Sequence, residues 1–225
     1  MEQQEELIIG IDDAGRGPVI GPMVLAGVLI QEKHHNYLKK LEVKDSKLLL
    51  PEKREKIALK LIQKFPFHIE FAYPDEIDMR TKSGVNLNWI EAVKTANIIN
   101  ELTKNLEAVK VIVDCPSPNI QAWHNYVLKH IKNSEKINLV CEHKADFNHL
   151  SVSAASIIAK HHREIEMEKL RKKHNIDCGS GYCLDPKTQE FLKGNLQELK
   201  DAGIIRKSWN TWEKVVAEKE QKKLF

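Results

Sequence analysis

Four aspartates carry the chemistry that this sequence suggests. Asp12 and Asp13 stand side by side after the apolar run "LIIGI", Asp114 closes the short run "VIVD", and Asp146 sits in "KADF" after "INLVCEH". Like charges held together and partly out of water repel, and they need a positive partner. Arg16 is one candidate and a divalent cation another. If the three apolar runs are neighbouring strands, their ends bring the acids into one hard-oxygen pocket. Carboxylate and water oxygens suit Mg²⁺ or Mn²⁺. Two such ions ~4 Å apart activate a water and stabilise the leaving oxygen of a phosphodiester. Taken singly, each acid is better read as a surface or capping residue; only the set of four points to a metal. No dense His/Cys cluster competes. Cys115, Cys141, Cys178 and Cys183 lack CxxC spacing and read as free thiols of a reducing compartment.

Beside the first two acids runs "AGRGPVIG". A phosphate loop would require GK[ST] and a following helix, and the dinucleotide fingerprint also needs a helix N-terminus there. Here Gly15, Arg16, Gly17 and Pro18 lead into a second apolar strand, so a nucleotide cofactor is not expected. A plain turn capped by the acids accounts for the glycines. It leaves two adjacent carboxylates at the end of an apolar strand unexplained.

The elements that must position these residues follow from periodicity. Residues 7–12 and 22–30 read as a hairpin, "FHIEFAY" as a half-buried strand, and "VKVIVD" and "KINLVCEH" as two further strands. Helices are expected from Pro51, over "NLNWIEAVKTANIINELTKN", through Trp123 to Ile131, and over "SVSAASIIAKHHREIEMEKLRKKH". The first half of that last helix is small and apolar, fit for close packing on a sheet. Its second half is charged, and its basic end, residues 169–174, suits either solvent or a nucleic-acid strand. "KADFNHL" and "CGSGYCLDP" read as loops. From Lys187 the chain reads as helical apart from "DAGIIRKSW". The fold class is α/β: a central mixed β-sheet flanked by helices, with residues 1–184 as the main domain and 185–225 as a small C-terminal helical extension.

The 225 residues, 42% hydrophobic and 30% charged, suffice for one large core and exclude a disordered chain. The net charge of +3 is weak support for a nucleic-acid partner. No apolar run reaches membrane-spanning length, and "MEQQEE" is no secretory signal. A cytoplasmic monomer without membrane contact is expected.

In order along the chain, "GIDDAGRGPVIGPMVLAGVLI", "VKDSKLL", "VIVD", "KADF", "VSAASIIAKHHRE", "GSGYCLDPKT" and "IRKSW" closely resemble ribonuclease HII, the type 2 ribonuclease H, in its archaeal form. The resemblance spans about residues 7–209. It implies the ribonuclease H-like fold and an endoribonuclease that cuts the RNA strand of RNA–DNA hybrids. It also implies cutting 5′ of a single ribonucleotide in duplex DNA, leaving 5′-phosphate and 3′-hydroxyl ends. The resemblance makes Asp12, Asp13, Asp114 and Asp146 the ligands of two Mn²⁺ or Mg²⁺ ions. It makes Gly15, Arg16 and Gly17 the reader of the ribose 2′-hydroxyl, and Tyr182 the ring that stacks at the RNA-to-DNA junction. Lys47, in "KDSKLL", is implied as a phosphate contact. Physics supports these roles: glycine admits close backbone approach, and the 2′-hydroxyl separates RNA from DNA.

Two departures stand out. The family's usual glutamate at the second acid is Asp13 here, one methylene shorter, and neighbours on a strand face opposite ways. A shifted backbone or a water-bridged ligand is the expectation. After the tyrosine, Cys183 and Leu184 replace a common Pro-Ser. Gln221, Leu224 and Phe225 match part of the sliding-clamp peptide that some archaeal relatives carry, against the default of a frayed tail. The rival readings are another two-metal nuclease of the same fold, such as a junction resolvase, and a hybrid-binding protein that has lost catalysis through Asp13.

Overall fold

The computed structural model describes residues 6–43, 49–194 and 202–221. Its strands are β1 (Leu7–Ala14), β2 (Met23–Gln31), β3 (Phe67–Ala72), β4 (Val109–Asp114) and β5 (Ile137–Glu142). Its helices are α1 (His35–Lys40), α2 (Pro51–Lys64), α3 (Pro74–Lys82), α4 (Leu87–Leu102), α5 (Ile120–His130), α6 (Ala145–Asn148), α7 (Leu150–His174), α8 (Pro186–Gly194) and α9 (Asn210–Gln221). The sheet order is β3-β2-β1-β4-β5. The β1–β2 pair is antiparallel, and the β1–β4 and β4–β5 pairs are parallel. This is the mixed sheet expected from the sequence.

The expected strands and long helices are present. α1, α3 and α6 were not anticipated, because each is short and none carries a long apolar stripe. α3 does carry end signals: Pro74 at its start, Asp75 and Glu76 in the first turn, Arg80 and Lys82 in the last. β1 also runs two residues beyond the expected stop at Asp12. Its pairing continues as Asp12 to Ala26, Asp13 to Leu25 and Ala14 to Val24.

The chain divides into two compact units. The first comprises Met1–Ala14, Val24–Phe71 and Asn88–His162. Here Ala154, Ala155, Ile157, Ile158 and Ala159 of α7 join Ala26, Val28 and Ile30 of β2 and Ile57, Ala58 and Leu61 of α2 in one core. Each such large aliphatic side chain contributes about 1.5–3 kcal/mol on burial. Gly10 makes the approach of α7 possible, since a Cβ there would run into the Ser151–Val152 backbone.

The second unit comprises Gly15–Met23, Ala72–Leu87 and Arg163–Phe225. Its core gathers Val19 and Ile20, Met167 of α7, Phe191 and Leu192 of α8, Ile204, Ile205 and Trp212. Trp212 is buried, and Trp209 packs against the same cluster. The four cysteines are free. Among the described residues no helix is long and apolar enough to cross a membrane.

Candidate active site

Parallel pairing of β1 with β4 puts Ile11 beside Val113, so the next residue on each strand, Asp12 and Asp114, ends up at the same level of the sheet. Asp146 arrives from the next connection. β5 pairs through Glu142 with Asp114, Lys144 turns the chain with φ 60°, and α6 then carries Asp146. The Ala145 N–H donates to an oxygen of Asp114 at 3.3 Å, and the Ser153 hydroxyl donates to the Asp146 carbonyl. One carboxylate oxygen from each of Asp12, Asp114 and Asp146 lies within 4.8 Å of the others. Asp12 and Asp146 are buried and Asp114 is half-buried.

Asp13 is outside that group of three. Regular pairing continues through it, so the pleat sends it to the other side of β1 from Asp12. It still acts on the group, because its N–H donates to Asp12 Oδ1 at 2.8 Å. Burial pushes the Asp12 carboxyl well above the usual carboxylate range, and the charges of Asp13 and Asp114 push it the same way. The Ser156 hydroxyl and the Asp13 N–H pull it down and fall short of compensating. Three hard oxygens in close register, one of them holding its proton too tightly, match the donor set of a divalent cation such as Mg²⁺ or Mn²⁺.

Ser156 is a member of the acid group's surroundings that sequence reading missed. Lys160, one helical turn on, donates to Ser156 Oγ at 3.0 Å, giving the line Lys160–Ser156–Asp12. The i, i+4 spacing of a serine and a lysine within the small-residue half of α7 was the available signal.

The turn and the tyrosine lie in the second unit. Gly15 has φ 80°, and a Cβ there would strike the Arg163 side chain and come 2.8 Å from the Pro22 carbonyl oxygen. Gly17 is exposed, and a Cβ on it would sit 4.0 Å from the Tyr182 ring. Tyr182 is 44% exposed and has the Arg163 guanidinium 5.2 Å from its centroid. The Gly181 carbonyl accepts from the Val19 N–H at 2.9 Å. The loop before the ring is tightly held. Asp185 accepts from both the N–H and hydroxyl of Ser180 at 2.6 Å, which keeps its own carboxyl below the usual range. Buried Thr188 accepts from the Gly181 N–H at 3.0 Å and donates to the Cys178 carbonyl at 2.8 Å. Gly15, Arg16, Gly17 and Tyr182 therefore share one unit. Lys47, Leu224 and Phe225 lie outside the described residues, and Gln221 is the exposed last residue of α9.

A sequence model of the family Ribonuclease HII matches residues 9–212. The chain belongs to the ribonuclease HII family. It is accordingly a ribonuclease H, a phosphodiester hydrolase of RNA–DNA hybrids. The ribonuclease HII of Methanococcus maripaludis strain C5 is 39% identical over 225 residues, covering 100% of this chain and 93% of that protein. The crystal structure of the ribonuclease H2 from Pyrococcus horikoshii OT3 superposes with a TM-score of 0.81 at 37% identity, covering 93% of this chain and 96% of that one. A second likeness, at TM-score 0.80 and 35% identity, is to the structure of a PCNA:RNase HII complex from Archaeoglobus fulgidus, covering 91% and 95%.

Proposed function

We propose that this ribonuclease HII hydrolyses the RNA strand of RNA–DNA hybrids and also cuts 5′ of single ribonucleotides in duplex DNA, leaving 5′-phosphate and 3′-hydroxyl ends. The observation that carries this reading is the group Asp12, Asp114 and Asp146 within 4.8 Å. Those three would hold two divalent ions, Mg²⁺ or Mn²⁺, with Asp13 reaching them through water. When bound, the ions lower the proton affinity of a water and offset the charge of the phosphodiester. The protein's own part is to fix the carboxylates: β1 and β4 set Asp12 and Asp114, α6 sets Asp146, and the Ser156 hydroxyl donates a hydrogen bond that partly offsets the upward push on Asp12.

In the same reading, Gly15, Arg16 and Gly17 present backbone to the ribose 2′-hydroxyl. Tyr182 offers a ring face to the neighbouring sugar, and Lys47 takes a phosphate. A site built around a substrate hydroxyl rejects the analogue that lacks it. Residues 1–184 act as the catalytic domain and 185–225 as its helical extension. We further propose a cytoplasmic monomer whose tail, through Gln221, Leu224 and Phe225, binds a sliding clamp. The solved relative in complex with PCNA supports that part.

The test is a labelled DNA duplex with one ribonucleotide beside an all-DNA duplex, each incubated with Mg²⁺ or Mn²⁺. Cleavage of the first alone, just 5′ of the ribonucleotide, is expected. Cleavage of both duplexes, or of neither with either metal, would overturn it.

A further inference from the structure

The segment "IIRKSW" is bound to the glycine turn more closely than an appended helix would need. The Ile204 carbonyl accepts from the Gly21 N–H at 2.9 Å, Ile205 bridges to Ile20, and the Arg206 N–H donates to the Val19 carbonyl at 2.9 Å. Arg206 is fully buried, although a guanidinium is among the costliest groups to take out of water. Its donors go to main-chain oxygens of the turn: Nη2 to Gly15 at 2.6 Å, Nη1 to Arg16 at 2.7 Å and Nε to Gly21 at 3.1 Å. The Trp209 indole N–H donates to the Gly17 carbonyl at 3.1 Å, and its ring lies 4.9 Å from the Arg206 guanidinium carbon. Every carbonyl of Gly15-Arg16-Gly17 is thus taken by one side chain or the other.

The two residues after Arg206 are held as well. Buried Asp78 of α3 accepts from the N–H groups of Lys207 and Ser208 at 2.8 and 2.9 Å and from the Ser208 hydroxyl at 2.7 Å. These bonds fix the backbone that immediately follows Arg206.

A trans peptide is planar, so its C=O and the following N–H point in opposite directions. Fixing the Gly15 and Arg16 carbonyls onto Arg206 turns the N–H groups of Arg16 and Gly17 away from it. Pro18 has no N–H to add. We propose that Arg206, assisted by Trp209, is a positioning residue for ribose recognition: it sets the peptide planes so that the turn faces the 2′-hydroxyl with its donors. The inference rests on the proposed reading of the 2′-hydroxyl by this turn. It gives the C-terminal segment a part in specificity, which neither the acids nor Tyr182 requires of it.

The experiment uses the full chain as wild type, Arg206→Lys and Trp209→Phe. For each, kcat and KM are measured on a duplex with one ribonucleotide, and the inhibition constant of the all-DNA duplex is measured as its competitor. The ratio of that constant to KM is the ribose discrimination. Arg206→Lys loses the two-pronged grip and is expected to lower the ratio about tenfold, the scale of charged hydrogen bonds. Trp209→Phe keeps a ring beside Arg206 and removes one neutral hydrogen bond, for roughly threefold. A role limited to stability would reduce the active fraction, and so kcat, at an unchanged ratio. Ratios like wild type in both variants would overturn the inference alone. If Arg206→Lys does not fold, the Trp209→Phe ratio decides. A wild-type ratio near one would remove the 2′-hydroxyl reading itself, and the inference with it.

Discussion

The acid group of the first unit and the glycine turn of the second solve opposite problems. Asp12, Asp114 and Asp146 concentrate like charge, and burial makes Asp12 hold its proton. The turn is satisfied: its three carbonyls are paired, and the loop ahead of Tyr182 is tied through Asp185 and Thr188. On the proposed reading, the region that would take a cation is left electrostatically costly, whereas the region that would test the shape of a sugar is fixed beforehand. On that reading the same chain carries electrostatic cost where a ligand would relieve it and rigidity where a ligand would be measured.

The sharpest test is removal of one member of the acid group. Asp114→Asn should lower cleavage by at least about 10²-fold, the scale of losing a preorganised charge stabiliser. The same change should raise the melting temperature in EDTA, because it removes a charge that opposes the ionisation of Asp12. Each 1 kcal/mol relieved is worth about 2–4 °C at this size. A drop in metal-free stability would break the comparison.

The pH dependence follows with a definite sign. Asp12 binds its proton more tightly folded than unfolded, where its value is about 3.9. Below that value both states are protonated and nothing is lost. From there up to the raised folded value, the native state holds a proton that the unfolded chain has released. Stability in EDTA therefore falls as pH rises through this window. Urea titrations across that range should show the decline in wild type and its loss in Asp12→Asn, and Mg²⁺ above the window should restore the stability.

The turn should respond in the opposite manner. Gly15→Ala meets φ 80° and the Arg163 side chain, and should cost at least about 1–2 kcal/mol with or without metal. Chemical denaturation in EDTA and in Mg²⁺ tests that indifference. Ser156→Ala lies between the two regions in effect. By removing a hydrogen bond that favours ionised Asp12, it should move the acid limb of the pH–rate profile upward and slow cleavage by roughly 10-fold. The smallest effect is expected from Asp13→Glu, which should equal or exceed wild-type cleavage. Its complete loss of activity would mean that the site has re-formed around the shorter acid.

Much of the acid site was legible. The strand period, the position of Asp114 at the end of "VIVD" and the small-residue start of α7 are local patterns, as was the mixed α/β arrangement. Asp13 illustrates the limit. Its adjacency to Asp12 suggests a shared pocket, yet continued pairing with Leu25 keeps it on the alternate side of the strand. Arg206 shows the limit more strongly. Nothing in "IIRKSW" announces that a buried guanidinium will take the carbonyls of a turn 190 residues earlier.

By itself the sequence determined what depends on near neighbours: which segments are the strands and the long helices, which residue types are present, and the family. Tertiary structure alone decided which acids converge, that Ser156 bonds Asp12, and that Arg206 and Trp209 hold the turn. Periodicity arises within a few residues, whereas the direction of a carboxylate or a carbonyl is set by partners that only the folded chain brings within hydrogen-bond reach.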